Sequence, residues 1–310
     1  MKRILTILLS LTGFAFAQQG IPVPSMSHCD QAMTQFMSNY DIPSATFAMA
    51  KDGKLVYMRA FGHADTAQTE PTQPYHMFRI ASLSKPITSI AIMKLIEDGE
   101  MGLAEKVFGP VGIMKNNSYF NNANITDSRI ENITIQHLLE HSAGWDRDVD
   151  CLPFPNPPYA WDINHCDPIG FPLHVTQALG ESNPVSRRAL IRFMLEKGLD
   201  FAPGTKYKYS NMGYLLLGLV IEEKTGMSYE AYVKQHVLDP IGACDMHIGK
   251  KLACRREARR EYVGNGYTAC RNTAVLVKTC PEYGGWSLEA MDAHGGWIAT
   301  ARDLVRLISQ

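Results

Sequence analysis

"RIASLSKPITS", residues 79–89, sets two serines beside a single lysine. A serine hydroxyl is a poor nucleophile at neutral pH unless a neighbouring base takes its proton. Ser82 has Lys85 three positions on, and on a helix that spacing puts both side chains on one face. The helix N-terminus then favours negative charge forming near Ser82. Ser84 has no basic residue at the same offset, so Ser82 is the candidate. Four residues of common type also arise by chance, and a capping serine followed by an exposed lysine explains them equally well. The surroundings must decide.

Downstream, Ile87, Ile90, Ala91, Met93, Leu95 and Ile96 recur at helical spacing, which predicts a buried helix from Ser82 to about Glu97. Pro86 is tolerable there because it lies near the first turn. Upstream, "ATFAMAKDGKLVYMRAFG" places Asp52-Gly53 between two strand-like runs, a hairpin signal. Before it, Met33, Phe36, Met37 and Tyr40 follow helical spacing up to Pro43. Further helices are predicted over about 187–197, 212–225 and 228–237, stopped by Gly198, Gly226 and Pro240. The Asn-rich "NNSYFNNANITDSRIENIT", with sequons at Asn116, Asn124 and Asn132, and the proline cluster "CLPFPNPPYAWD" read as irregular loops.

The lysine gains company at "PGTKYKYSNMGYLLLG", where Tyr209 and Asn211 immediately precede an apolar helix. A tyrosine serves as general base where nearby positive charge lowers its pKa from about 10. An asparagine amide can hold a substrate carbonyl and orient a lysine. Ser82-x-x-Lys85 and Tyr209-x-Asn211 resemble the motifs of the serine β-lactamase and penicillin-binding-protein superfamily, in its class C, esterase and DD-peptidase branch. "DGKLVYMRAFGHAD", "FRIASLSKPIT", "ITIQHLLEHSAGW" and "GGWIATARDLVRL" occur in the order that branch shows, from about residue 40 onward.

The resemblance implies an α/β fold of the α+β type, an antiparallel sheet flanked by helices with a large inserted helical lobe at about 87–290. It implies that Ser82 forms an acyl-enzyme, that Lys85 and Tyr209 move its proton, and that Asn211 contacts substrate and Lys85. The backbone N–H of Ser82 would form half of an oxyanion hole. The substrate would be a β-lactam, a D-alanyl peptide or a small ester. The family's third motif, Lys/His-x-Gly, is not assigned to His294-Gly295-Gly296, because Thr300 and Asp303 form a capping-box-like start to a helix where further strands should follow. On this reading the sequence stops short of the third motif and the C-terminal strands, and a chain of this extent is expected to be poorly active and poorly stable.

Other classes fare worse. "HLLEH", His137 to His141, fits an H-x-x-E-H zinc pattern, but no clear third ligand follows, so no metal and no cofactor are expected. No G-x-S-x-G elbow is present. A formal net charge of −1 gives no general reason to bind nucleic acid. The alternative is a non-catalytic binding or assembly protein on the same scaffold, which has no need of the Ser82–Lys85 pairing.

Residues 1–17 join Lys2 and Arg3 to an apolar stretch and an Ala15-Phe16-Ala17 cleavage site, and so read as a secretory signal peptide ahead of a domain over 18–310. A secreted or periplasmic monomer without a membrane span is expected. Export makes the seven cysteines interpretable: Cys151 with Cys166, Cys244 with Cys254 and Cys270 with Cys280, leaving Cys29 over. The loop from Cys151 to Cys166 would be a pinned lid, with Trp161 its best cleft candidate.

Overall fold

The computed structural model describes residues 17–65, 67–121, 123–151, 166–182, 184–250, 268–270, 277–279 and 287–309. Strand β1 (Gln18–Gln19) precedes helix α1 (Ser27–Asn39), and the expected hairpin follows as β2 (Ser44–Lys51) and β3 (Lys54–Gly62). Its two turn residues, Asp52 and Gly53, have φ of 51° and 70°. Positive φ at both positions is the turn geometry that matches strand twist, and Asp-Gly tolerates it. β1 pairs with the other edge of β3, so the order of this antiparallel sheet is β1-β3-β2.

After β4 (Phe78–Arg79) the chain makes a 3₁₀ turn over Ala81–Leu83, and helix α2 spans Ser84–Glu97. The α-helix therefore starts two residues later than the spacing of apolar residues suggested. The Asn-rich stretch also holds more order than expected: α3 (Ser118–Asn121), with 3₁₀ turns at Ile113–Asn116 and Ser128–Asn132. Elements of three to five residues are too short to register as a periodicity.

The helices continue with α4 (Ile135–Leu139), α5 (Pro172–Leu179), α6 (Arg187–Lys197), α7 (Asn211–Thr225) and α8 (Tyr229–Val233), the last running into a π-turn over Lys234–Leu238. Then come β5 (His247–Ile248), β6 (Thr268–Cys270), β7 (Val277–Thr279), α9 (Leu288–Gly295), β8 (Trp297–Ala299) and α10 (Ala301–Ile308). β8 is the centre of a second antiparallel sheet ordered β4-β8-β5, and β6 pairs with β7. The architecture is an α/β fold of helices with small antiparallel sheets.

Helix α7 is the axis of the core. Met212 through Ile221 are buried without a break, the pattern of a helix enclosed on all sides. It packs against α2, α4, α6, α8 and α9. A Cβ at Gly218 would lie 2.7 Å from the Ala293 Cβ, so glycine is what lets α7 and α9 touch. At the far end, the Thr300 hydroxyl accepts from the Asp303 N–H, and the Asp303 carboxylate accepts from Thr300: the capping box read from the sequence starts α10.

Cys151 and Cys166 form a disulfide. Cys29 and Cys244 are free thiols, and the expected pairings of Cys244 with Cys254 and of Cys270 with Cys280 each involve a cysteine that is not described. Cys254, Cys280, Trp161 and residues 1–16 lie outside the described residues. Among the described residues, no helix is long and apolar enough to cross a membrane.

Candidate active site

Strand β4 delivers the Ser82 turn to a fixed place. Phe78 and Arg79 pair with Ala299 and Ile298 of β8, and the Ile80 N–H donates to the Trp297 carbonyl at 3.1 Å. Ala81 then adopts φ 45°, a left-handed conformation that costs a residue with a Cβ about 1–2 kcal/mol. The chain holds that strain immediately before Ser82, whose side chain stands exposed. Ser84 is spent on structure: it is fully buried, and its hydroxyl accepts from the Trp297 N–H at 3.2 Å. The two serines thus have separate tasks.

Lys85 is buried on the first turn of α2, and its ammonium has three acceptors. It donates to Ser82 Oγ at 3.2 Å, to Asn211 Oδ1 at 2.9 Å and to the His294 carbonyl at 2.9 Å. Ser82 Oγ is in turn 2.7 Å from the Tyr209 hydroxyl. Burial is the main reason that the Lys85 pKa falls to about 8; the Arg147 charge lowers it further and the Asp167 carboxylate opposes both. A neutral lysine amine has two N–H donors and one lone pair. The amide oxygen and the carbonyl can accept only, so they take the two N–H groups and leave the lone pair facing Ser82. The same geometry that holds the ammonium therefore aims the free amine at the serine.

Tyr209 and Asn211 come from the segment entering α7. Ser210 between them caps that helix, its hydroxyl accepting from the Gly213 N–H at 3.1 Å. The Lys85 nitrogen lies 4.7 Å from the Tyr209 ring centre, and the Arg147 guanidinium lies 5.6 Å from it on a second approach. The His141 ring lies tilted against the Tyr209 ring, centroids 4.7 Å apart, and its Nδ1 accepts from the Ser210 N–H at 3.1 Å. Burial, then the nearby Lys85 charge, pushes the His141 pKa down to about 4, so the ring is a neutral acceptor. Asn211 Nδ2 donates to Asp167 Oδ2 at 2.6 Å.

All four residues expected from the sequence, Ser82, Lys85, Tyr209 and Asn211, converge in one cluster. The two histidines of "HLLEH" do not form a pair. His137 Nδ1 accepts from the Thr134 N–H within the capping box of α4, whereas His141 lies beyond the helix at φ 58°. Among the described residues, no group of three histidines, cysteines, aspartates or glutamates could hold a metal ion. A cavity of about 560 Å³ walled by Phe108, Met114, Phe120 and Ile130 contains none of the cluster residues.

Sequence reasoning missed four participants. The sequence places His141 only within the H-x-x-E-H pattern, and its left-handed φ of 58° carries no sequence signal. Asp167 and Arg147 are remote in sequence; the one hint was that Asp167 directly follows Cys166. His294 was considered for its side chain, but its carbonyl is what meets Lys85, while the buried imidazole is held neutral by burial and by the Lys85 charge.

The family description "Beta-lactamase" matches residues 29–310. Penicillin-binding protein 4* of Bacillus subtilis (strain 168) is 28% identical over 236 residues, which is 75% of this chain and 44% of that protein. The chain thus spans less than half the length of that relative. The octameric penicillin-binding protein homologue of Pyrococcus abyssi superposes with a TM-score of 0.62 at 26% identity, covering 92% of this chain and 55% of that one. D-amino acid amidase of Ochrobactrum anthropi SV3 superposes with a TM-score of 0.64 at 19% identity, covering 91% and 70%, and so shares the fold.

Proposed function

The chain belongs to the beta-lactamase family, and on that premise we propose that it is a serine hydrolase that works by acyl transfer through Ser82. The observation that carries the reading is the position of Ser82 Oγ between the Lys85 amine at 3.2 Å and the Tyr209 hydroxyl at 2.7 Å. Ser82 Oγ attacks the acyl carbon while its proton passes to the neutral Lys85 amine. The Ser82 N–H, in the first turn where backbone donors lack helical partners, faces the developing oxyanion. The Tyr209 hydroxyl donates its proton as the leaving group departs, and the Lys85 ammonium restores it. Water attacks the acyl-enzyme by the same groups in reverse, and Asn211 holds Lys85 throughout.

The substrate class is an acyl donor of the β-lactam or D-alanyl type, which the penicillin-binding names of the relatives at 28% and 26% identity support; small esters share the carbonyl chemistry. The Cys151–Cys166 disulfide supports export, since such bonds persist in oxidising compartments. Turnover of a chromogenic cephalosporin and of a short-chain nitrophenyl ester tests the reading. Lys85→Ala and Tyr209→Phe should each lower kcat by about 10² to 10⁴, the usual worth of a positioned acid or base. Wild-type rates in Lys85→Ala would overturn it.

A further inference from the structure

Asn211 can serve Lys85 only in one of its two amide orientations. Its oxygen must face the ammonium, so its NH₂ must face the other way, and on that side stands Asp167 Oδ2 at 2.6 Å. A carboxylate accepts and does not donate, so it admits the NH₂ and excludes the flipped amide. The Lys85 ammonium favours the same orientation, but the neutral amine has a lone pair that could accept from a flipped amide, so Asp167 is what holds the orientation once the lysine proton has left.

Asp167 is itself tethered. The residue before it, Cys166, is disulfide-bonded to Cys151, and the Cys166 N–H donates to the Arg147 carbonyl at 2.8 Å. Arg147 Nη1 lies 3.8 Å from Asp167 Oδ2, and the same guanidinium approaches the Tyr209 ring. We propose that Asp167, anchored by the Cys151–Cys166 disulfide, is a positioning residue that locks the Asn211 amide and through it aims Lys85 at Ser82. The disulfide is then a support of the catalytic geometry as well as a loop staple, so that reduction weakens turnover. This inference rests on the hydrolase reading above.

Asp167 also sets the charge that Lys85 sees. Burial pushes the Asp167 carboxyl up, while the Asn211 N–H, the Arg147 charge and the Lys85 charge favour its anion. The other groups facing Lys85 are Arg147, whose charge lowers the Lys85 pKa, and His141, His294, Tyr209 and Tyr214. Neither histidine carries charge near neutrality, since both are held below the ordinary histidine range. Asp167 is the acidic group beside Lys85; its charge raises the Lys85 pKa while burial opposes that charge, so replacing the carboxyl with a neutral group makes Lys85 easier to deprotonate.

The test is pH-resolved kinetics on a nitrophenyl ester with Asp167→Ala, Asp167→Asn and the double variant Cys151→Ser/Cys166→Ser. Asp167→Ala should lower kcat by about 10-fold with KM little changed, the worth of one hydrogen bond to a charged group. Asp167→Asn, whose amide oxygen still accepts from Asn211, should recover most of that kcat and move the acid limb to lower pH. The cysteine variant should lose activity too, and its loss should not add to that of Asp167→Ala if both act through one strut. Wild-type kcat in Asp167→Ala, or an unmoved acid limb in Asp167→Asn, overturns the proposal, as does full additivity. A wild-type protein that neither turns over the ester nor labels at Ser82 with a fluorophosphonate would instead remove the hydrolase reading beneath it.

Discussion

At the scale of the residue, the decisive quantity is the protonation of Lys85. An ordinary lysine titrates near 10.4, and at pH 7 fewer than about one in a thousand such amines is neutral. With its pKa lowered to about 8, chiefly by burial, roughly a tenth is neutral at pH 7. A lysine that must be neutral to take the Ser82 proton is inactive below its pKa and active above it. kcat/KM should therefore rise with pH along a limb of unit slope that levels near pH 8. Lys85→Arg should not restore it, since a guanidinium stays protonated. A profile flat from pH 6 to pH 9 would assign the base elsewhere. The Ser82, Lys85, Tyr209 and Asn211 side chains were legible because the motif spacing carries them directly. Their partners were not: Asp167, Arg147, His141 and the His294 carbonyl reach the cluster through tertiary contacts.

At the scale of the element, the site depends on how closely α9 approaches α2 and α7. Thr88 of α2 donates to the Ala293 carbonyl at 2.6 Å, one residue before the carbonyl that Lys85 uses. Gly218 of α7 leaves the space that Ala293 occupies. Gly218→Ala should push α9 outward, costing about 1–3 kcal/mol of stability by overpacking and lowering kcat together with Tm. Gly226→Ala is the control, because it meets nothing within 4 Å and strains only a left-handed helix stop at φ 70°. It should lower Tm by a comparable amount with kcat unchanged, as thermal melts and ester turnover on the same samples would record. The helices α1, α6 and α7 and the β2–β3 hairpin were readable because each has a long apolar period or a turn with its own chemistry. The short turns around α3, helix α5 and the start of α2 were not, since the first two are set by contacts with the core and the last by the β4–β8 pairing that strains Ala81.

At the scale of the whole molecule, residues from four distant parts of the chain meet at one serine: 82–85, 141–147, 166–167 and 209–211, with the 294 carbonyl closing the ring. Isolated motifs predicted two of those parts, and the fold supplies the rest by burying α7 at its centre. Such convergence is what a serine activated by a neighbouring base requires. The most direct measurement is intact-mass and peptide-mapping mass spectrometry of the folded protein after exposure to a fluorophosphonate. The account predicts a single stoichiometric adduct on Ser82 that disappears in Ser82→Ala and forms far more slowly in Lys85→Ala. No adduct on the folded wild-type protein, or an adduct that survives in Ser82→Ala, would contradict it.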